Sequence, residues 1–280
     1  MRDMNTVILK DLSIGYTAKG NEKVVASGLN AAINSGELTC LLGQNGIGKS
    51  TLLRTLAAFQ PPLAGDVLLN TEGNHIAHLS SLTSQLLSRM IGVVLTEKLA
   101  IKNMTAEELI AMGRAPYTGF WGRLTEEDHQ VVSDAIRLVG IESLAGCMIQ
   151  TLSDGERQKV MIAKALAQQT PIIYLDEPTA FLDYPSKVEM MQLLRRLAVQ
   201  EQKTIFLSTH DVELSLQVAD CIWLMESDQL YVGTPHQLAE QGVLSRFIER
   251  EGITFDRSSL TIRVKSEECR VKNEEFATAL

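Results

Sequence analysis

No stretch of this sequence approaches the ~18 consecutive apolar residues that a membrane-spanning helix needs, although 45% of its 280 residues are hydrophobic. Any work at a membrane must therefore pass through partners. The opening residues Met1 to Thr6 carry no apolar secretion core, which predicts a cytoplasmic chain. Cationic charge is also short: 26 lysines and arginines stand against 34 acidic residues, a net charge of −8. A nucleic-acid backbone would be repelled overall, so the electrostatic basis for a dedicated nucleic-acid binder is missing. Cysteine is sparse. Cys40, Cys147, Cys221 and Cys269 are far apart and lack paired metal-ligand spacing, which speaks against disulfides and zinc. Cys40 and Cys221 fall in apolar runs and read as core residues. Sustained heptads and internal repeats are absent as well.

What is present starts with Gly43-Gln44-Asn45-Gly46-Ile47-Gly48-Lys49-Ser50-Thr51, a glycine-rich loop between a strand-like run and a helix-forming run. This pattern binds a nucleoside triphosphate. Its glycines let backbone N–H groups curl around a phosphate, Lys49 reaches the β and γ oxygens, and the Ser50 hydroxyl is placed to ligate Mg²⁺.

Residues 6 to 16 alternate as a strand, with Val7, Leu9 and Leu12 among polar neighbours, and Glu37 to Leu42 form a second strand feeding the loop. Pro171 to Leu175 and Thr204 to Thr209 are short, nearly continuous apolar runs, the mark of parallel strands buried on both faces. Each ends in residues able to do chemistry, at the strand ends where ligands gather in open α/β sheets. Between about residues 97 and 165 the pattern turns helical. Thr105 with Glu108 forms a capping box, and Val131, Val132, Ala135, Ile136 and Val139 share one face of a helix opening near Thr125. These features predict an α/β core with a mostly parallel sheet and an inserted helical subdomain. From about residue 241 periodicity fades, apart from a strand-like Leu260 to Val264. Lys265 to Leu280 reads as a charged tail, which leaves residues 1–264 as one domain.

Leu175-Asp176-Glu177-Pro178 places two carboxylates directly after a buried strand. Asp176 is positioned to hold Mg²⁺ opposite Ser50, and Glu177 to accept a hydrogen bond from the water that attacks a γ-phosphate. Thr151-Leu152-Ser153-Asp154-Gly155-Glu156-Arg157-Gln158-Lys159 precedes a helical run, with Ser153 as a helix N-cap. The order of phosphate loop, this segment, Asp176-Glu177 and then His210 resembles the ATP-binding cassette family over about residues 6 to 250.

That resemblance implies a P-loop ATPase fold with an antiparallel β subdomain, ATP and Mg²⁺ as cofactors, and a set of roles. Tyr16 matches the aromatic residue that stacks on adenine. Gly43, Asn45, Gly46, Gly48, Lys49, Ser50 and Thr51 match the phosphate loop. Glu177 matches the catalytic carboxylate, His210 the histidine that contacts the γ-phosphate, and Asp183 a loop joining two active sites. Ser153 and Gly155 match the signature contacts to ATP held by the opposite subunit. The resemblance therefore implies a head-to-tail dimer with a second nucleotide-binding subunit, a homodimer being expected. It also implies permease subunits docked on the helical subdomain, a substrate-binding protein acting through the permease, and a location on the cytoplasmic face of the membrane.

Two positions depart from the family pattern. Thr96, with Glu97 beside it, stands where a glutamine approaches Mg²⁺, and its hydroxyl can ligate the metal but is shorter. In the signature, Asp154 replaces the second-position glycine and Glu156 a glutamine. Gly113-Arg114-Ala115-Pro116 resembles a segment of importers of iron-siderophore complexes, haem and cobalamin, although Gly113 and Pro116 also suit a helix end. The competing reading is a soluble mechanical ATPase of DNA repair or maintenance. Such relatives insert long coiled coils between loop and signature, and this chain carries none. Retention of Glu177 and His210 argues against a regulator that binds ATP without hydrolysing it.

Overall fold

The computed structural model describes residues 5–18, 21–71, 75–95, 102–119, 121–227 and 229–264. Two sheets carry the architecture. The antiparallel sheet has the order β2-β1-β4-β5, with β1 at Asn5–Ala18, β2 at Asn21–Asn34, β4 at Ala64–Thr71 and β5 at His75–His78. Along β1 the buried residues run Val7, Leu9, Leu12 and Ile14, a step of three where a strand should step by two. The cause is a bulge: the register slips between Leu9 and Leu12, and Asp11 takes the left-handed φ of 46°, which turns the next apolar residue back inward.

The larger sheet has the order β10-β9-β3-β8-β7-β6. Its members are β3 (Leu38–Gly43), β6 (Ile91–Val94), β7 (Ile172–Asp176), β8 (Thr204–Ser208), β9 (Cys221–Met225) and β10 (Leu230–Gly233). All are parallel except β10, which pairs antiparallel with β9. Both faces of β3 and β8 are covered, as their unbroken apolar runs demand.

Two cores result. One lies between the sheets, where Val7, Leu9 and Ile14 meet Leu41, Phe206 and Trp223 together with Leu52 and Leu56 of helix α1, Lys49–Leu56. The aromatic rings of Phe206 and Trp223 meet edge to face at 4.9 Å, a preferred geometry.

Helix α2, Ser84–Met90, adds Leu87 and Met90 to this first core. The other core packs the opposite face of the parallel sheet against helices. Helix α3 spans Ala106–Ala111, α4 Glu126–Val139, α5 Asp154–Ala167 and α6 Tyr184–Gln200. Helix starts follow the capping chemistry of the sequence. Thr105 with Glu108, Thr125 with Asp128 and Ser153 with Glu156 each close a reciprocal capping box, satisfying N–H groups that a helix start otherwise leaves unpaired. Helix α4 then stops at Gly140, whose φ of 74° ends it in the left-handed conformation. Its inward face of Val132, Ala135, Ile136 and Val139 is buried; each Val or Ile so placed contributes about 1.5–3 kcal/mol.

Helices α7 (Val212–Val218), α8 (Pro235–Glu240) and α9 (Val243–Ile248) and a hairpin of β11 (Ile253–Asp256) and β12 (Thr261–Val264) complete the fold. The loss of periodicity expected beyond residue 241 is corrected here. Helix α9 is six residues long, too short to display a repeat, yet it buries Val243, Leu244 and Ile248. The tail from Lys265 to Leu280 lies outside the described residues.

Candidate functional site

The loops at the carboxyl ends of the parallel strands converge with the antiparallel sheet around one cavity. The loop after β3 wraps the start of α1, whose first residue is Lys49. Lys49 is 6% exposed, and its ammonium donates to the carbonyl oxygens of Gly43 at 2.8 Å and Gln44 at 3.1 Å. Burial holds its pKa below the ordinary value of 10.5, while the carboxylates of Glu177 and Asp176 pull it upward. A buried cation at a helix N-terminus is an anion-binding arrangement.

Asp176 closes β7 directly opposite Ser208 of β8. The Ser208 hydroxyl donates to Asp176 Oδ1 at 2.5 Å, and the Ser50 hydroxyl reaches the same oxygen at 3.3 Å. A hydroxyl and a carboxylate converging in this way form a hard oxygen donor set of the kind that holds Mg²⁺. The next residue, Glu177, adopts a φ of 47°, an uncommon backbone state for a non-glycine residue. Its amide donates to both the carbonyl oxygen and the hydroxyl of Ser208, each at 3.1 Å. With its backbone held there, Glu177 Oε1 stands 2.6 Å from His210 Nε2.

One cavity of about 490 Å³ takes in Tyr16, Asn45, Gly46, Gly48, Lys49, Ser50, Thr51, Glu177 and His210, within the usual range for small-molecule sites. Tyr16 closes one side. Its hydroxyl lies 2.6 Å from that of Thr51, so the aromatic residue at the mouth is tied to the phosphate-loop helix. Gly43 and Asp176 join the cavity through their hydrogen bonds to Lys49 and Ser50.

Ser153 and Gly155 do not line this cavity. Ser153 caps α5, with its amide and hydroxyl donating to Glu156 Oε2 at 2.9 and 2.7 Å, and these bonds hold the Glu156 carboxyl below its ordinary pKa. Asp154 pairs with Arg157 at 3.1 Å. Asp183 caps α6 by accepting from the Ser186 amide at 3.1 Å. Thr96 and Glu97 lie outside the described residues.

Several neighbours of the site escaped sequence reasoning. Lys23 and Val25 come from β2 and line the cavity; nothing in their local pattern announces this. Ser208 is legible in retrospect, as a hydroxyl at the polar end of an apolar run. Asp211, beside His210, accepts from Thr179 Oγ1 at 2.7 Å and pairs with Lys187 at 2.8 Å.

Gly113-Arg114-Ala115-Pro116 proves to be a packing device. A Cβ on Gly113 would lie 2.3 Å from the Lys164 carbonyl oxygen of α5. Arg114 is 4% exposed and donates to Asp128 Oδ1, the Ala167 carbonyl and Gln169 Oε1 at 2.7–2.8 Å. Its guanidinium also lies over the Tyr117 ring, 4.1 Å from the centroid.

Known proteins resemble this chain in sequence and fold. Residues 26–180 match the family described as ABC transporter. An uncharacterised ABC transporter ATP-binding protein of Methanocaldococcus jannaschii is 40% identical, the match covering 88% of this chain and 82% of the relative. A petrobactin import ATP-binding protein of Bacillus anthracis is 34% identical over 83% of this chain and 82% of its own length. Among solved structures, a dimeric ABC cassette in a post-hydrolysis state bound to ADP and phosphate superposes with a TM-score of 0.68 at 26% identity, covering 82% of this chain and 98% of that one. With a buried phosphate-loop lysine, paired carboxylates at the end of β7 and a histidine at the end of β8 converging on one cavity, this chain belongs to the ABC transporter family and is an ATP-binding cassette ATPase.

Proposed function

We propose that this chain is the ATP-hydrolysing subunit of an importer for iron chelates, haem or a cobalamin-like compound. The observation that carries the hydrolytic part is the 2.6 Å approach of His210 to Glu177, in the cavity that also contains Lys49 and Ser50. In this reading Tyr16 stacks on adenine and the loop amides with Lys49 hold the phosphates. Ser50 and Asp176 would hold Mg²⁺, which, when bound, neutralises phosphate charge. Glu177 accepts a proton from the attacking water, and His210 orients that water and contacts the γ-phosphate.

Ser153 and Gly155, standing outside their own chain's cavity, would complete the site of a second, identical cassette docked head to tail. The helices from α3 to α5, at about residues 97–165, form the subdomain that meets the permease, and a substrate-binding protein acts through that permease. Through that permease the chain would sit peripherally on the cytoplasmic face of the membrane; no described helix is long and apolar enough to cross it. The petrobactin-import relative supports an iron chelate as cargo, as does the Gly113–Pro116 segment; a DNA-repair ATPase has no comparable support.

Reconstitution with a cognate permease and its binding protein tests the proposal. ATP turnover should rise when a ferric chelate, haem or cobalamin is supplied with the binding protein. Failure to associate with any polytopic membrane protein would overturn the importer reading while leaving the ATPase in place.

A further inference from the structure

Beyond the ends of β7 and β8 the segments 176–179 and 208–211 leave the sheet side by side, and side chains tie them at two levels. At the sheet end, Ser208 links Asp176 to the Glu177 amide, as described above. Farther out, Thr179, 2% exposed, donates its hydroxyl to Asp211 Oδ2 at 2.7 Å. The other oxygen of Asp211 receives Lys187 of α6 at 2.8 Å. Asp211 is itself fixed, since its amide donates to Thr209 Oγ1 at 3.1 Å and its carbonyl accepts from the Ser215 hydroxyl at 2.8 Å. Between these two ties lie Glu177 and His210.

We propose that Asp211 is a positioning residue for the Glu177–His210 pair, gripping the turn after Glu177 through Thr179 and anchoring it to α6 through Lys187. The physical reason lies in the backbone of Glu177. A non-glycine residue at a φ of 47° persists only where its surroundings over-determine it. Ser208 fixes the amide at the front of the turn, and the Ala180 amide donates to the Glu177 carbonyl at 3.0 Å behind it. Thr179 sits inside that turn, so its bond to Asp211 sets the distance between the two segments. Lys187 extends the same grip to the helix capped by Asp183, so the loop before α6 and the residue after His210 move together. Without Asp211 the turn is free to relax, and an ångström of misplacement at a reacting group costs up to about a hundredfold in rate. The inference rests on the catalytic reading of Glu177 and His210 given above.

Steady-state ATP hydrolysis of Thr179→Val, Thr179→Ser, Asp211→Ala, the Thr179→Val/Asp211→Ala double variant and Glu177→Gln provides the test. Thr179→Val removes one hydroxyl at nearly constant volume, so kcat should fall by about tenfold while KM for ATP stays within about twofold. Thr179→Ser, which keeps the hydroxyl, should recover most of the lost kcat. The double variant should be no slower than Asp211→Ala alone, because both changes break one contact. Wild-type kcat in Thr179→Val, or equal losses in the Ser and Val variants, would overturn the proposal. Should Asp211→Ala fail to fold, the Val and Ser pair decides alone. Wild-type turnover in Glu177→Gln would instead overturn the catalytic reading, a separate failure from an inactive Glu177→Gln beside a fully active Thr179→Val.

Discussion

Val25 of the antiparallel sheet presses so closely on Gly48 of the phosphate loop that a Cβ on Gly48 would stand 2.4 Å from Val25 Cγ1. The φ of Gly48 is 116°, so a side chain there meets two obstacles, a β-branched neighbour and a strained backbone. Gly48→Ala should therefore weaken ATP binding at least tenfold. Adding Val25→Ala should restore little, since the backbone cost of about 1–3 kcal/mol remains. Nucleotide titration of the single and double variants checks this; full rescue by Val25→Ala would show that the clash alone matters.

Lys49 is the buried cation of the loop, and its neighbours Gly43 and Gln44 offer it only carbonyl oxygens. Lys49→Ala should reduce both nucleotide affinity and turnover, because the β and γ charges would then be met by amide dipoles and Mg²⁺ alone. Isothermal titration and steady-state hydrolysis together check it, and unchanged affinity with full activity would refute the site.

The buried Arg114–Asp128 pair, at 2.8 Å, makes stability depend on pH. Hydrogen bonds from the Thr125 amide, and then from Arg114, hold the Asp128 carboxyl at about 2, below its ordinary 3.8. A carboxyl depressed on folding stabilises the fold above its unfolded value and loses that contribution as pH falls toward its folded one. Asp128→Asn should cost about 3 kcal/mol at pH 7, the usual cost of breaking a buried pair. Its deficit relative to wild type should narrow between pH 4 and about pH 2. Urea midpoints at pH 7 and pH 3 measure this, and a deficit independent of pH would place the cost in packing.

Where the chemistry was local, the sequence disclosed it. Lys49, Glu177 and His210 follow, and Asp176 ends, strands with continuous apolar runs, and the Thr105–Glu108 capping box lies three residues apart in the sequence. What stayed hidden depends on contacts made across the fold. Val25 reaches Gly48 only because two sheets pack together, and Asp211 meets Thr179 only because β7 and β8 are neighbours. The Gly113–Pro116 segment was legible only as a resemblance to importer segments; its packing role was not, because Gly113 meets α5 and Arg114 meets Asp128 of α4 only in the folded chain. The Asp11 bulge broke the period-two pattern of β1 without hiding the strand, since the apolar residues on both sides of it still face inward.

Asp154 departs from the family pattern, and its partner Arg157, 3.1 Å away, offsets part of its charge. Both side chains are partly exposed, so repulsion of a partner's triphosphate is of the order of 1 kcal/mol and falls with salt. In a Glu177→Gln background, Asp154→Asn should strengthen ATP-driven dimerisation several-fold at low salt and little at high salt. Analytical ultracentrifugation across a salt series checks it, and an unchanged dimer would mean that Arg157 already cancels the charge.

The central claim is that Glu177 accepts the proton of the attacking water beside His210. ATP binding and single-turnover hydrolysis of Glu177→Gln, measured on the same preparation, test it most directly. The amide keeps the shape of the side chain but cannot act as a base, so affinity for ATP should stay within about threefold of wild type while hydrolysis falls at least a hundredfold. Hydrolysis close to wild type with intact binding would contradict the account.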